Sequence, residues 1–152
     1  MFFEDNIIPI IGKTGKLLGA KMNKIFKDRN ISLTREQFVI LKLLETNDGK
    51  PQQDLAFITE SDKTSLSRLI SNMEKNNLII RKPSSNDKRI KQVFITSYGL
   101  NILEETQPLI IESINKFQKG ISKSEIKQTI DIIQKVQNNI LKEHSNKLCD
   151  KK

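Results

Sequence analysis

A polar-faced helix followed at once by a basic hairpin constrains this chain more than any other feature. From Pro51 to Thr96 the residues read as helix, turn, helix, hairpin. The first helix, Pro51-Gln52-Gln53-Asp54-Leu55-Ala56-Phe57-Ile58, opens with proline, whose missing N–H costs nothing in a first helical turn. Leu55, Ala56, Phe57 and Ile58 give it an inward face. After the turn Thr59-Glu60-Ser61, Asp62 is a good N-cap, and Leu66, Leu69, Ile70 and Met73 recur at spacings of three and four. Between them lie Lys63, Thr64, Ser65, Ser67, Arg68, Ser71 and Asn72, a small, polar and cationic outer face. A helix entering a DNA major groove needs such short donors and acceptors near its N-terminus, with an arginine to reach a base edge or phosphate. An ordinary amphipathic helix with a solvated face fits the same residues, because the helix-turn-helix pattern alone is loose.

The residues that follow favour the first reading. Asn77 stands where a helix closes in left-handed conformation, a role open to asparagine as well as glycine. Leu78-Ile79-Ile80-Arg81-Lys82 then reads as a strand and Gln92-Val93-Phe94-Ile95-Thr96 as its partner. The turn-rich segment Pro83-Ser84-Ser85-Asn86-Asp87-Lys88-Arg89 joins them. Five cations, Arg81, Lys82, Lys88, Arg89 and Lys91, share this hairpin with one acid, Asp87. A basic hairpin directly after a polar-faced helix predicts a winged helix-turn-helix, its wing placed to reach the DNA backbone or minor groove.

This stretch resembles the MarR-type bacterial transcriptional regulators, in register from Leu33 to Gly99. Leu33-Thr34-Arg35-Glu36-Gln37-Phe38 is similar to the family's opening of the helix before the reading motif, and Asp62-Lys63-Thr64-Ser65-Leu66-Ser67-Arg68-Leu69 to its recognition helix. Asp87-Lys88-Arg89, followed by Val93-Phe94-Ile95-Thr96-Ser97-Tyr98-Gly99, is similar to its wing signature and the entry to its dimerisation helix. The chain departs from the pattern at Asn77, where the family usually has glycine. The resemblance implies that Arg89 enters the minor groove and that Asp87 supports the wing; with the polar helix face and the basic hairpin, the expected DNA contacts are Lys63, Thr64, Ser65, Ser67, Arg68, Asn72, Lys88 and Arg89.

The formal net charge of +8 and the sequence pI of about 9.6 suit a partner of a polyanion. Charge alone would equally suit the ribosome or an anionic membrane surface. The 152 residues are enough for one compact domain with one good core. A hydrophobic fraction of 36% against 29% charged residues is lean for that, and such a chain often completes its core with a second copy. A single cysteine, Cys149, cannot form an internal disulfide, which points to a reducing compartment, and the resemblance implies the bacterial cytoplasm. No apolar run approaches the roughly 20 residues of a membrane span, and no signal-peptide cleavage pattern follows the first residues.

The two ends of the chain predict long apolar-striped helices. In Asp5–Arg29 the residues Ile7, Ile11, Thr14, Leu18, Met22 and Ile25 form a heptad-like stripe, and Ile8, Ile10, Leu17 and Phe26 widen it to a helix buried on two sides. Within it, Gly12-Lys13-Thr14 imitates the end of a P-loop, but Ile7 stands where that motif needs its first glycine. Thr34 and Gln37 have capping-box spacing at the start of the second helix, and residues 46–50 form a loop that could end in a very short strand. After Gly99 a helix carries Ile102, Leu103, Leu109, Ile110, Ile114 and Phe117, with Pro108 expected to bend or break it near Thr106. Gly120 closes it and Ser122 caps the last helix, striped by Ile126, Ile130, Ile133, Val136, Ile140 and Leu141, with Leu148 beyond. Stripes too apolar for one molecule predict a bundle made by two chains. Packing of the same helices onto their own winged helix would also bury them.

Little in the chain carries catalytic chemistry. His144 stands alone in the polar end of the last helix, and no metal-ligand cluster, nucleophile elbow or triad can be assembled. Glu104-Glu105 and Glu112 read as solvated helix faces, and Cys149 sits in a Lys-rich tail. No cofactor and no metal are expected, and an enzyme is not. The expected fold is mainly α with a small β-wing (α+β), a winged helix-turn-helix flanked by long N- and C-terminal dimerisation helices. Its parts are residues 1–30, 31–97 and 98–152 of one compact domain. The expected function is a homodimeric, sequence-specific regulator on a palindromic operator in double-stranded DNA, a repressor by resemblance. Resemblance also implies release by a small aromatic or amphipathic ligand. Leu17, Phe38, Leu41 and Ile110 are the apolar positions chosen to line its cleft. The competing class is a winged-helix protein–protein module that uses the same stripes and touches no DNA.

Overall fold

The computed structural model describes residues 5–58 and 62–149. The turn Thr59-Glu60-Ser61 lies outside the described residues, as do the side chains of Ala56, Phe57, Ile58, His144, Leu148 and Cys149. The element order is α1 (Ile7–Asp28), α2 (Arg35–Thr46), β1 (Lys50–Pro51), α3 (Gln52–Ile58), α4 (Lys63–Lys75), β2 (Ile79–Pro83), β3 (Lys91–Ile95), α5 (Ser97–Phe117) and α6 (Lys123–Cys149). The chain divides into two compact units, Met1–Pro108 and Leu109–Lys152.

Caps written into the sequence start the helices of the first unit. The Asn6 side chain accepts from the Ile8 N–H at the head of α1. Thr34 and Gln37 close a full capping box on α2: the Gln37 N–H donates to Thr34 Oγ1 at 3.2 Å, and the Thr34 N–H to Gln37 Oε1 at 2.9 Å. Asp62 Oδ1 accepts the N–H groups of Thr64 and Ser65 at 2.9 and 3.0 Å, which starts α4 one residue after the cap. Pro51 ends the two-residue strand β1 rather than entering the helix, so α3 begins at Gln52.

The sheet has the order β1-β3-β2, antiparallel throughout, with Lys50 opposite Val93 and Arg81 also opposite Val93 from the other side. The two wing strands lie one residue later at β2 and one earlier at β3 than the sequence pattern gives. The core of this unit is made by Ile40, Leu41 and Leu44 of α2, Leu55 of α3, Leu66, Ile70 and Met73 of α4, Ile79, Val93 and Leu103, all buried. Met22 and Phe26 are the buried residues of α1, and the Phe26 ring lies 6.4 Å from that of Phe38. Ile7, Ile8, Ile10, Leu17 and Leu18 of the α1 stripe are exposed within one chain, and Ile11 and Ile25 are half-buried.

Asn77 reverses the chain after α4 with φ of 58°, the left-handed conformation expected there. α5 then starts against that corner. The Thr96 N–H and hydroxyl both donate to the Leu78 carbonyl at 3.1 Å, and the hydroxyl also reaches the Asn77 carbonyl at 2.6 Å. The Gly99 N–H in turn donates to Thr96 Oγ1 at 2.9 Å. α5 runs unbroken through Pro108, so of the bend or break expected near Thr106 the break does not occur. Proline forfeits one helical hydrogen bond, and the intact bonds around it hold the helix together; the Thr106 hydroxyl, buried, donates to the Ile102 carbonyl at 2.7 Å.

The second unit contains the end of α5, the reversal at Gly120 (φ 84°) and α6. Ser122 and Glu125 cap α6 reciprocally, and the hydrogen bond from the Ser122 hydroxyl holds the Glu125 carboxyl below its usual range. Ile111, Ile114, Phe117, Ile121, Ile130, Ile132, Ile140 and Leu141 are exposed within the single chain. Among the described residues no helix is long and apolar enough to cross a membrane.

Candidate nucleic-acid interface

α4 buries Leu66, Ile70 and Met73 and leaves Lys63, Thr64, Ser65, Ser67, Arg68 and Asn72 on its exposed side. Its first turn is the most constrained part. The backbone N–H of Ser65, then its hydroxyl at 2.7 Å, hold the Asp62 carboxyl below the ordinary aspartate value, because both bonds favour the charged form. Ser65 therefore spends its proton on the cap and faces outward as an acceptor. Lys63, Thr64, Ser67 and Arg68 remain for a ligand.

Asn72 has a second role that the sequence did not disclose. Its Oδ1 accepts from Gln37 Nε2 at 3.0 Å and from Asn76 Nδ2 at 3.1 Å. Gln37 is buried, and its own Oε1 belongs to the α2 capping box. One glutamine side chain thus ties the N-terminus of α2 to the outer helix, and the Asn72 carbonyl end is committed inside the protein.

The wing is built the same way. Asp87 Oδ1 accepts the Arg89 N–H at 2.9 Å and Nε at 3.2 Å, and Oδ2 lies 3.4 Å from the guanidinium Nη2. The aspartate so shapes the turn and aims Arg89, whose side chain is 92% exposed. Lys88 beside it is exposed. Lys82 lies over the Phe94 ring at 5.3 Å, on the solvent side of the sheet. Arg81 is withdrawn: both its backbone N–H and its guanidinium are held by Glu74 of α4.

Between the head of α4 and the base of the wing lies a groove of about 550 Å³, lined by Gln52, Gln53, Lys63, Leu66, Arg89, Ile90 and Lys91. Three cations and two amides converge there, with no acid among the described residues of the lining. Such a wall complements a phosphate chain running past an outward-facing helix. Gln52, Gln53 and Lys91 join the candidate contacts through this groove; the sequence marked Lys91 only as one of five hairpin cations and the two glutamines only as polar residues at the start of a helix.

The winged helix also decides the kinship. A putative MarR family transcriptional regulator from Listeria monocytogenes, solved as a complex with 26mer DNA, is 32% identical, with 91% of each chain covered and a TM-score of 0.79. The chain belongs to the MarR family. The family model itself matches residues 33–91, the reader and most of its wing. An uncharacterized SlyA-like transcription regulator from Listeria monocytogenes is similar at 32% identity, 91% of each chain and a TM-score of 0.77. The uncharacterized HTH-type transcriptional regulator YybA of Bacillus subtilis (strain 168) is 32% identical over 98 residues, and the match spans 64% of either chain's length.

The four positions chosen for a ligand have different surroundings. Leu17 is 62% exposed on α1, while Leu41 is fully buried in the core of the first unit. Phe38 packs half-buried against that core, and Ile110 is buried in the second unit. Among the described residues no group of histidine, cysteine and carboxylate side chains is placed to hold a metal ion.

Proposed function

We propose that this MarR-family chain is a sequence-specific DNA-binding transcriptional regulator that reads a palindromic operator as a homodimer. The observation that carries the reading is the convergence of Lys63, Arg89 and Lys91 on one groove, beside an α4 face that exposes Thr64, Ser67 and Arg68. The cations take phosphates and the helix face takes base edges in the major groove. Arg89 reaches minor-groove or phosphate surface from the wing tip. The relative solved as a complex with 26mer DNA supports DNA binding. Two copies are needed because the terminal helices leave apolar side chains exposed in one chain, and because two reading heads about 34–36 Å apart match successive major grooves.

The regulator works as a repressor, released when a small aromatic or amphipathic molecule prefers the geometry that does not fit DNA. Selection of bound duplexes from a random pool tests the core of this reading. A palindrome with half-sites one helical turn apart is the expected product. No enrichment at low salt would overturn it and leave the protein–protein module as the better function.

A further inference from the structure

The hairpin's first cation is spent on the protein itself, and its geometry has a purpose that stability does not explain. Arg81 lies on the same face of β2 as buried Ile79, two residues along, and pairs across the sheet with buried Val93. An aliphatic residue would fill that position at lower desolvation cost. Instead the Glu74 carboxylate, from the last turns of α4, takes the Arg81 backbone N–H at 2.9 Å, Nε at 3.0 Å and Nη2 at 2.5 Å. Both side chains are mostly covered, 35% exposed for Glu74 and 27% for Arg81. A bidentate guanidinium–carboxylate pair with a backbone bond added fixes direction as well as distance. It spans the corner Asn76-Asn77-Leu78 that joins α4 to the wing.

We propose that Glu74 and Arg81 are positioning residues: a clamp that sets the bearing of the wing on α4, so that the helix and Arg89 meet DNA in one register. The proposal rests on the DNA-binding reading above. Neither residue contacts DNA. The clamp makes the two contact sets act together, so its loss costs discrimination between an operator and other sequences more than it costs affinity for DNA at large. Phosphate contacts, made by Lys63, Lys91 and Arg89, survive on a loosened wing, whereas the base contacts of α4 are no longer held in register with Arg89.

Two readouts on the full chain test this. The first is the ratio of affinities for a selected operator and a random duplex, with the salt slope of each, for the parent, Glu74→Gln and the paired replacement Glu74→Met with Arg81→Met. The paired replacement exchanges the ion pair for apolar side chains and keeps the fold should the single variant lose it. Both folded variants should lose about tenfold in the ratio, with unchanged salt slopes. A ratio equal to the parent's in the folded paired variant overturns the clamp. So does a slope flatter by about 1.8 in the paired variant, which would make Arg81 itself a phosphate contact in each of the two copies. The second readout needs no DNA: spin labels at Ser71→Cys and Asn86→Cys, in a Cys149→Ser background diluted with unlabelled chain. The distance distribution should be narrow with the clamp and broad without it. An equally narrow distribution in the variants overturns the proposal. If the parent itself binds no DNA, the functional reading fails, while the label distances still decide the clamp.

Discussion

Replacing Gly99 with alanine should be costly out of proportion to one methyl group. A Cβ built there lies 2.1 Å from the Leu78 carbonyl oxygen and 3.0 Å from its carbon. Ordinary C···O contact is about 3.3 Å, so the start of α5 and the α4–β2 corner must part by roughly 1.2 Å. The Leu78 oxygen is the acceptor for both the N–H and the hydroxyl of Thr96, so the movement stretches both bonds beyond hydrogen-bond length. Two net hydrogen bonds at about 1 kcal/mol each, with overpacking of about 1–3 kcal/mol, give a loss of about 3–5 kcal/mol. At a urea slope of about 2 kcal/mol/M the unfolding midpoint should fall by roughly 1.5–2.5 M. Urea titration at matched protein concentration measures it, since assembly would otherwise shift the midpoint. Gly15→Ala, in the middle of α1 with open space around its Cβ, is the control and should leave stability equal or about 1 kcal/mol higher. A Gly99→Ala midpoint within 0.2 M or so of the parent's would refute the packing of α5 on that corner.

Three further outcomes follow from the charges and the exposed stripes. Asp62, depressed in the folded chain, adds stability above the ordinary aspartate value of 3.8, and that contribution is lost as pH falls through the depressed value. Asp62→Asn keeps the cap, so acid titrations of the two proteins should converge below that pH and differ above it; parallel curves would contradict the cap's charge. Deleting residues from Ile126 onward should expose partner stripes and cause aggregation or loss of DNA binding, while the full chain sediments as a dimer; a micromolar monomer would contradict the two-chain bundle. Small aromatic acids should release DNA and raise the melting temperature together, and a panel that moves neither would argue for a regulator without such a ligand.

What could be read from the sequence was local. The Thr34–Gln37 box, the Asp62 and Ser122 caps and the Asn77 reversal each involve residues within a few positions of one another, and propensity alone places them. The inward residues Leu66, Ile70 and Met73 followed from helical period, and Asp87 with Arg89 from turn chemistry and resemblance. Tertiary partners were not legible. Arg81 read as one of five hairpin cations until Glu74 was seen beneath it, and Asn72 as a free outer amide until Gln37 reached it from 35 residues away. Nor did polarity distinguish Lys91, Gln52 and Gln53, which only the folded groove assembles with Lys63. Leu41 shows the converse: apolar position cannot separate a cleft wall from a core residue. Pro108 was expected to bend or break α5, and the helix continues through it.

The claim that α4 and the wing contact DNA by different means is tested most directly by salt titration of Arg89→Ala beside Arg68→Ala on a selected operator. Arg89 carries a phosphate or minor-groove contact in each of two wings, so its removal should flatten the slope of log affinity against log salt by about 1.8. The affinity lost across a fourfold rise in salt should shrink about twelvefold, on operator and random duplex alike. Arg68→Ala should keep more of the slope, cost about 1–3 kcal/mol on the operator and relax preference at one position of each half-site. An Arg89→Ala protein that binds as tightly as the parent, with the parent's slope, would take the wing off the DNA and contradict the reading head described above.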